Sequence, residues 1–116
     1  MTTTGTEARS LRSLVPAAVD DIVRAARPRR VILFGSVARG EEGPDSDLDF
    51  LVVVDAMQPG PERRRLMSMI RAAIKVKAPV DVFVTDEAEC ARRRDVIGSM
   101  HYWPLREGEV VYERAA

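Results

Sequence analysis

Two short apolar runs with carboxylates at the entrance to the second restrict this chain most. Val31-Ile32-Leu33-Phe34 stops at Gly35-Ser36, and ten residues later Asp47-Leu48-Asp49 leads directly into five consecutive apolar residues, 50–54. Brief apolar runs bounded by turn residues read as buried strands, here over 31–34 and 47–54. Alternate side chains on a strand share a face, so Asp47 and Asp49 project together, about 7 Å apart along the chain. Two carboxylates on one face repel, and nothing in an apolar core compensates them. A divalent cation does. Hard cations such as Mg²⁺ take oxygen ligands, often one or two carboxylates, and fill the remaining positions with water and substrate phosphates. Taken alone, the pair equally fits the polar start of a strand or a turn.

The Gly35-Ser36 turn adds a second function to the same stretch. Glycine lets the backbone bend sharply and lets a ligand come close. A short helix opening at Val37-Ala38-Arg39 would aim its free N–H groups and the Ser36 hydroxyl at the turn, which is the arrangement that binds anions. A lone Gly-Ser is an ordinary turn. Beside an Asp-x-Asp pair on the next strand, it joins a phosphate holder to a metal holder.

Gly35-Ser36, ten residues, then Asp47-x-Asp49 resembles the signature of the DNA polymerase beta-like nucleotidyltransferases. The fuller string Phe34-Gly35-Ser36-x-Ala38-Arg39-Gly40, with Ser46-Asp47-x-Asp49, resembles the minimal nucleotidyltransferases that accompany HEPN-domain proteins in prokaryotes. The likeness extends from about residue 31 to residue 112, including the closing Arg106-Glu107-Gly108-x-Val110-x-Tyr112-Glu113. It implies an α/β (α+β) fold, with a small mixed sheet of about four strands and helices packed on it. It also implies transfer of a nucleoside monophosphate from a triphosphate to a hydroxyl, with pyrophosphate released. Two Mg²⁺ ions (or Mn²⁺), about 3.5–4 Å apart, would clamp the attacking and leaving oxygens. Asp47 and Asp49 would hold both ions. The family's third metal-site carboxylate lies on the strand after the next helix, where Asp81 is the acid within residues 80–85. Asp81 would complete the nucleophile-side metal and help take the hydroxyl proton. Gly35 and Ser36 would grip the β and γ phosphates, and Arg39 would neutralise charge on the triphosphate.

Asp81 draws notice without the resemblance, because it interrupts an apolar strand. A buried carboxylate there needs a cation, an arginine or an exposed edge.

The remaining chain reads as scaffold. Residues 1–10 are expected to form a disordered arm, and 11–116 one domain. Leu11, Leu14, Val15, Ala18, Ile22 and Ala25 mark a helical stripe. Pro16 fits only a first turn, placing the start near Ser13, and Arg27-Pro28 ends the helix. Residues 62–78 repeat the helical period, with Pro79 as terminator. A third strand spans 80–85. Asp86 caps a helix running to about Ser99, with Glu89 completing a capping box. Gly98 and Pro104 argue against continuation, and His101-Tyr102-Trp103 is read as packing or a partner surface, with base stacking as the alternative. Residues 109–113 form a last strand.

Lys plus Arg and Asp plus Glu number 18 each, so net charge is zero and no global field draws nucleic acid. The single cysteine, Cys90, excludes an intramolecular disulfide and a cysteine metal cage, and is expected to pack as a small apolar residue. No apolar run reaches the length of a membrane span, and the Thr-rich start lacks a signal-peptide core, so a cytoplasmic location is expected. A Walker A reading from Gly35 to Gly40 fails, since Glu41-Glu42 stands where Lys-Ser/Thr belongs. Arg94-x6-His101 matches the loose HEPN ribonuclease pattern by chance in an arginine-rich chain.

The resemblance implies ATP or another nucleoside triphosphate as donor and a tyrosine on a neighbouring HEPN toxin as acceptor. This chain would then be the antitoxin, in a homo- or hetero-oligomer. The rival classes are a catalytically idle antitoxin that neutralises by contact, and a transferase acting on a small molecule or RNA.

Overall fold

A computed structural model describes residues 10–57 and 60–115. The expected arm, apart from Ser10, lies outside the described residues. A 3-10 turn, Arg12–Leu14, leads into α1 (Val15–Ala26), with Pro16 in the first turn, where its missing N–H has no intrahelical role. Then follow β1 (Arg30–Phe34), β2 (Leu48–Val54), α2 (Pro61–Ala73), β3 (Val80–Asp86), α3 (Glu87–Arg93), α4 (Tyr102–Glu107) and β4 (Glu109–Glu113).

The strands form one mixed sheet in the order β3-β2-β1-β4. β1 runs antiparallel to both β2 and β4, whereas β2 and β3 are parallel and joined through α2, since parallel neighbours need a long crossover. This is an α+β fold. Each face of the sheet is covered. On one, Val31, Leu33, Phe50, Val52, Val82 and Val84 pack with Ala18 and Ile22 of α1 and Ile70 of α2. On the other, Ile32, Leu51 and Val53 pack with Cys90 of α3, joined by Phe34, Phe83 and Leu105 of α4. Double coverage explains the unbroken apolar run of β2, where alternation would mark a half-solvated strand. Cys90 is buried and free, as a small apolar residue would be.

Several boundaries differ from the sequence reading. Asp47 immediately precedes β2, which begins at Leu48. The expected short helix at Val37-Ala38-Arg39 is a succession of turns. α2 stops at Ala73 because Ile74 turns extended (ψ 123°), while Ile74 and Val76 still pack on the core. The helix expected to reach Ser99 ends at Arg93, and α4 forms where Pro104 argued against a helix. The capping box is half made. Asp86 accepts from the Glu89 N–H at 2.8 Å. The Glu89 carboxylate turns away, accepting from Thr85 Oγ1 at 2.9 Å and Arg63 at 2.8 Å.

Candidate active site

β1 delivers the chain to Gly35 at one end of the sheet. Gly35 has φ +81°, in the left-handed region, and a Cβ built there would overlap the Asp49 carboxylate. Glycine is therefore required twice, by backbone conformation and by the close approach of Asp49. The following turn is anchored by Val37, which is buried in the core. It is closed by the Arg39 N–H to the Gly35 carbonyl at 3.2 Å and the Glu41 N–H to the Ser36 carbonyl at 2.8 Å. Among the described residues, none accepts from the backbone N–H groups of Ser36, Val37 or Ala38. Consecutive free amides of this kind form an anion-binding concavity without a regular helix.

Ser36 Oγ donates to Ser46 Oγ at 2.8 Å, and Ser46 Oγ accepts from the Gly43 N–H at 2.8 Å. The glycine turn is thus tied to the residue just before Asp47. Sequence reading placed Ser46 in the motif and gave it no task. Its spacing from Ser36 was the available signal.

β2 and β3 bring the acids together. The Leu48 N–H donates to the Pro79 carbonyl at 2.9 Å, setting the start of the parallel pairing, and Asp49 then stands beside Asp81 in register. On its other side Asp49 pairs with Phe34 of β1. Asp47, Asp49 and Asp81 each present a carboxylate oxygen, all within 4.8 Å of one another, and all three residues are half-buried. Burial, then the charges of Asp81 and Asp47, push the Asp49 carboxyl up to about 6, against the opposing pull of Arg39. An acid raised by burial and by like charges is what a divalent cation relieves. The oxygen-only donor set suits a hard ion such as Mg²⁺ rather than zinc. The residues fit a metal.

Arg39 pairs with Glu41, Nε to Oε1 at 3.0 Å, and lies 3.7 Å from Glu107. With Phe34, Gly35, Trp103 and Glu107 it lines a groove of about 280 Å³ beside the turn. Trp103, read from sequence as packing or a partner surface with base stacking as the alternative, lines the groove that also contains Gly35. His101 is buried on Thr85, Nε2 to Oγ1 at 2.8 Å, which gives it a structural task.

The fold is that of nucleotidyltransferase domains. The chain belongs to the nucleotidyltransferase domain family, whose model matches residues 17–102. Two solved structures share the fold. A Sulfolobus solfataricus protein described as a candidate nucleotidyltransferase and solved at 1.40 Å superposes with a TM-score of 0.61 at 24% identity, over 88% of this chain and 79% of that one. A toxin–antitoxin structure with AMP-PNP superposes with a TM-score of 0.51 at 19% identity, over 84% of this chain and 72% of that one. No curated protein matches the chain in sequence.

Proposed function

We propose that this chain is a minimal nucleotidyltransferase that moves AMP from ATP to a tyrosine hydroxyl of a HEPN-domain toxin, and is thereby the antitoxin of the pair. The observation that carries the transfer chemistry is the convergence of Asp47, Asp49 and Asp81 within 4.8 Å, beside a turn at Gly35 that leaves no room for a side chain. The adenine donor and the protein partner rest on more distant support: the motif string around Gly35 and Asp47, and a toxin–antitoxin of this fold with AMP-PNP.

In this reading the three carboxylates would hold Mg²⁺ or Mn²⁺, which when bound would neutralise the triphosphate and polarise the α-phosphoryl group. The free amides of Ser36, Val37 and Ala38 receive the β and γ phosphates, joined by the Ser36 hydroxyl once it turns from Ser46 Oγ, to which it donates in the structure. Arg39 adds positive charge at the leaving side. The tyrosine oxygen attacks the α-phosphorus as the bond to the β-bridging oxygen breaks. Pyrophosphate leaves, and the phenolic proton passes to the Asp81 carboxylate. The partner's own fold places the hydroxyl and excludes water.

The test is incubation with α-labelled ATP, Mg²⁺ and the HEPN protein of a neighbouring gene. Label should appear on a partner tyrosine, with pyrophosphate released and ribonuclease toxicity lost. Asp47→Asn should transfer nothing. Neutralisation without label, equal in wild type and Asp47→Asn, would establish the contact antitoxin instead.

A further inference from the structure

We infer that Trp103 is the stacking platform for the donor's nucleobase and that Glu107 favours a base carrying an exocyclic amine over one that lacks it. This rests on the nucleotidyl-transfer reading and extends it to residues that the motif does not include.

Trp103 is the sole tryptophan of the chain and is 56% exposed. Its helix explains why it points outward. α4 buries Pro104 and lays Leu105 on Ile32, Leu51 and Val53, so the preceding residue is directed off the sheet. A large exposed ring forgoes its burial energy unless something covers it. This ring is also held. Tyr102 meets it edge-on, with centroids 4.9 Å apart at 85°, and the Arg106 guanidinium lies 3.9 Å from the Tyr102 centroid. Arg106 in turn donates to Asp95 at 2.6 Å. A large ring that is held by its neighbours and still more than half exposed is a preorganised stacking surface.

The groove's position identifies the occupant. Gly35 belongs both to the groove and to the contact with Asp49, so the space opens from the phosphate turn. Across the register, Phe34, Asp49 and Asp81 follow one another on β1, β2 and β3. The groove therefore flanks Asp49 on the side away from Asp81, the carboxylate assigned to the attacking hydroxyl. It belongs to the donor, and the acceptor approaches from the opposite flank. Within it, Phe34 and Trp103 supply apolar walls, and Glu107, whose carboxylate lies 3.7 Å from the Arg39 guanidinium, is the hydrogen-bond acceptor offered to the base. A carboxylate accepts from an amine such as that of adenine and repels the carbonyl that uracil carries in its place.

Trp103 also reports on its own occupancy. Saturating MgATP should quench its fluorescence, whereas Mg-tripolyphosphate should bind without quenching. Trp103→Ala should weaken MgATP binding in calorimetry by about tenfold, the scale of one base–aromatic stack. It should leave tripolyphosphate affinity unchanged, and Trp103→Phe should restore most of the loss. Glu107→Gln should narrow the preference for MgATP over MgUTP. Wild-type affinity for MgATP in Trp103→Ala overturns the inference. The same variant binding MgATP normally but failing to label the partner would hand the groove to the acceptor, and also overturns it. A wild-type protein that binds neither MgATP nor Mg-tripolyphosphate removes the transfer reading itself, and the inference with it.

Discussion

Asp49 carries the most conflicting demands of any residue in the chain. It sits between Asp81 and the end of β1, half-buried, with its carboxyl pushed up to about 6 from an ordinary 3.8. The metal-free folded protein thus holds a proton that the unfolded chain releases at lower pH. The group's contribution to stability is complete below the unfolded value and is lost as pH rises through about 6. A cation competes with the same proton. Mg²⁺ affinity measured by calorimetry should rise by up to about tenfold per pH unit below that value and level off above it. Asp49→Asn should abolish both the binding and its slope, and a pH-independent affinity would contradict the assignment. Gly35 answers to the same carboxylate. Gly35→Ala should cost about 1–2 kcal/mol from the left-handed backbone alone, read as a lower urea midpoint. It should also weaken Mg²⁺ binding, because the new methyl displaces Asp49. An alanine variant of unchanged stability and metal affinity would show that the turn has slack the geometry denies.

Among the elements, α3 depends most visibly on a single side chain. Asp86 accepts from the Glu89 N–H at 2.8 Å and from the Met57 N–H at 3.1 Å, and these hydrogen bonds, the one from Glu89 foremost, hold its carboxyl below the usual range. Asp86→Ala should cost about 1 kcal/mol as a lost N-cap, and somewhat more because the Met57 N–H loses its partner. The Asp86 contribution is present above the unfolded pKa and disappears as pH falls through the depressed folded one, so the variant's deficit in melting temperature should shrink in acid. A deficit constant across that range would remove the cap from the account. This cap was legible in the sequence, as were all four strands and α1, because period and turn residues are local signals. The limits of α2 were not. Ile74 and Val76 keep packing on the core after the helix has ended, so the apolar pattern outlasts the helical backbone. The extended segment is fixed by Asp21, whose carboxylate accepts from the Lys75 N–H at 3.0 Å, a contact that spacing cannot reveal. α4 was missed because Pro104 reads as a breaker. It occupies the first turn of a six-residue helix, where an N–H would have had no intrahelical partner. At the site, the Gly-Ser and Asp-x-Asp spacing is visible in one dimension. The meeting of Asp49 with Asp81 requires the parallel register of β2 and β3, and Trp103 reaches the groove only through α4.

The whole molecule's charge pattern bears on the proposed acceptor. Net charge is zero, and several arginines, though not all, are matched in space. Arg30 binds Glu87 at 2.8 Å, Arg29 and Arg114 share Asp55 at 3.3 and 2.9 Å, Arg63 binds Glu89 at 2.8 Å, and Arg12 binds Glu109 at 3.0 Å. Exposed pairs add little to stability, and a net charge of zero leaves no surplus of cations for a phosphate backbone. Nucleic-acid affinity at physiological salt comes mainly from neutralising phosphates with such cations. No helix among the described residues is long and apolar enough to cross a membrane. A protein acceptor fits this surface better than RNA, since it can be placed by shape and apolar contact without a basic track. With labelled ATP, Mg²⁺ and the HEPN partner, a large excess of unlabelled tRNA should leave the rate of partner labelling unchanged and should itself acquire no label. Lowering the salt should change the partner reaction only modestly, without the steep dependence of polyanion binding. Label on the tRNA, or inhibition of partner labelling that disappears as salt is raised, would move the acceptor to RNA while leaving the carboxylate site and the phosphate turn in place.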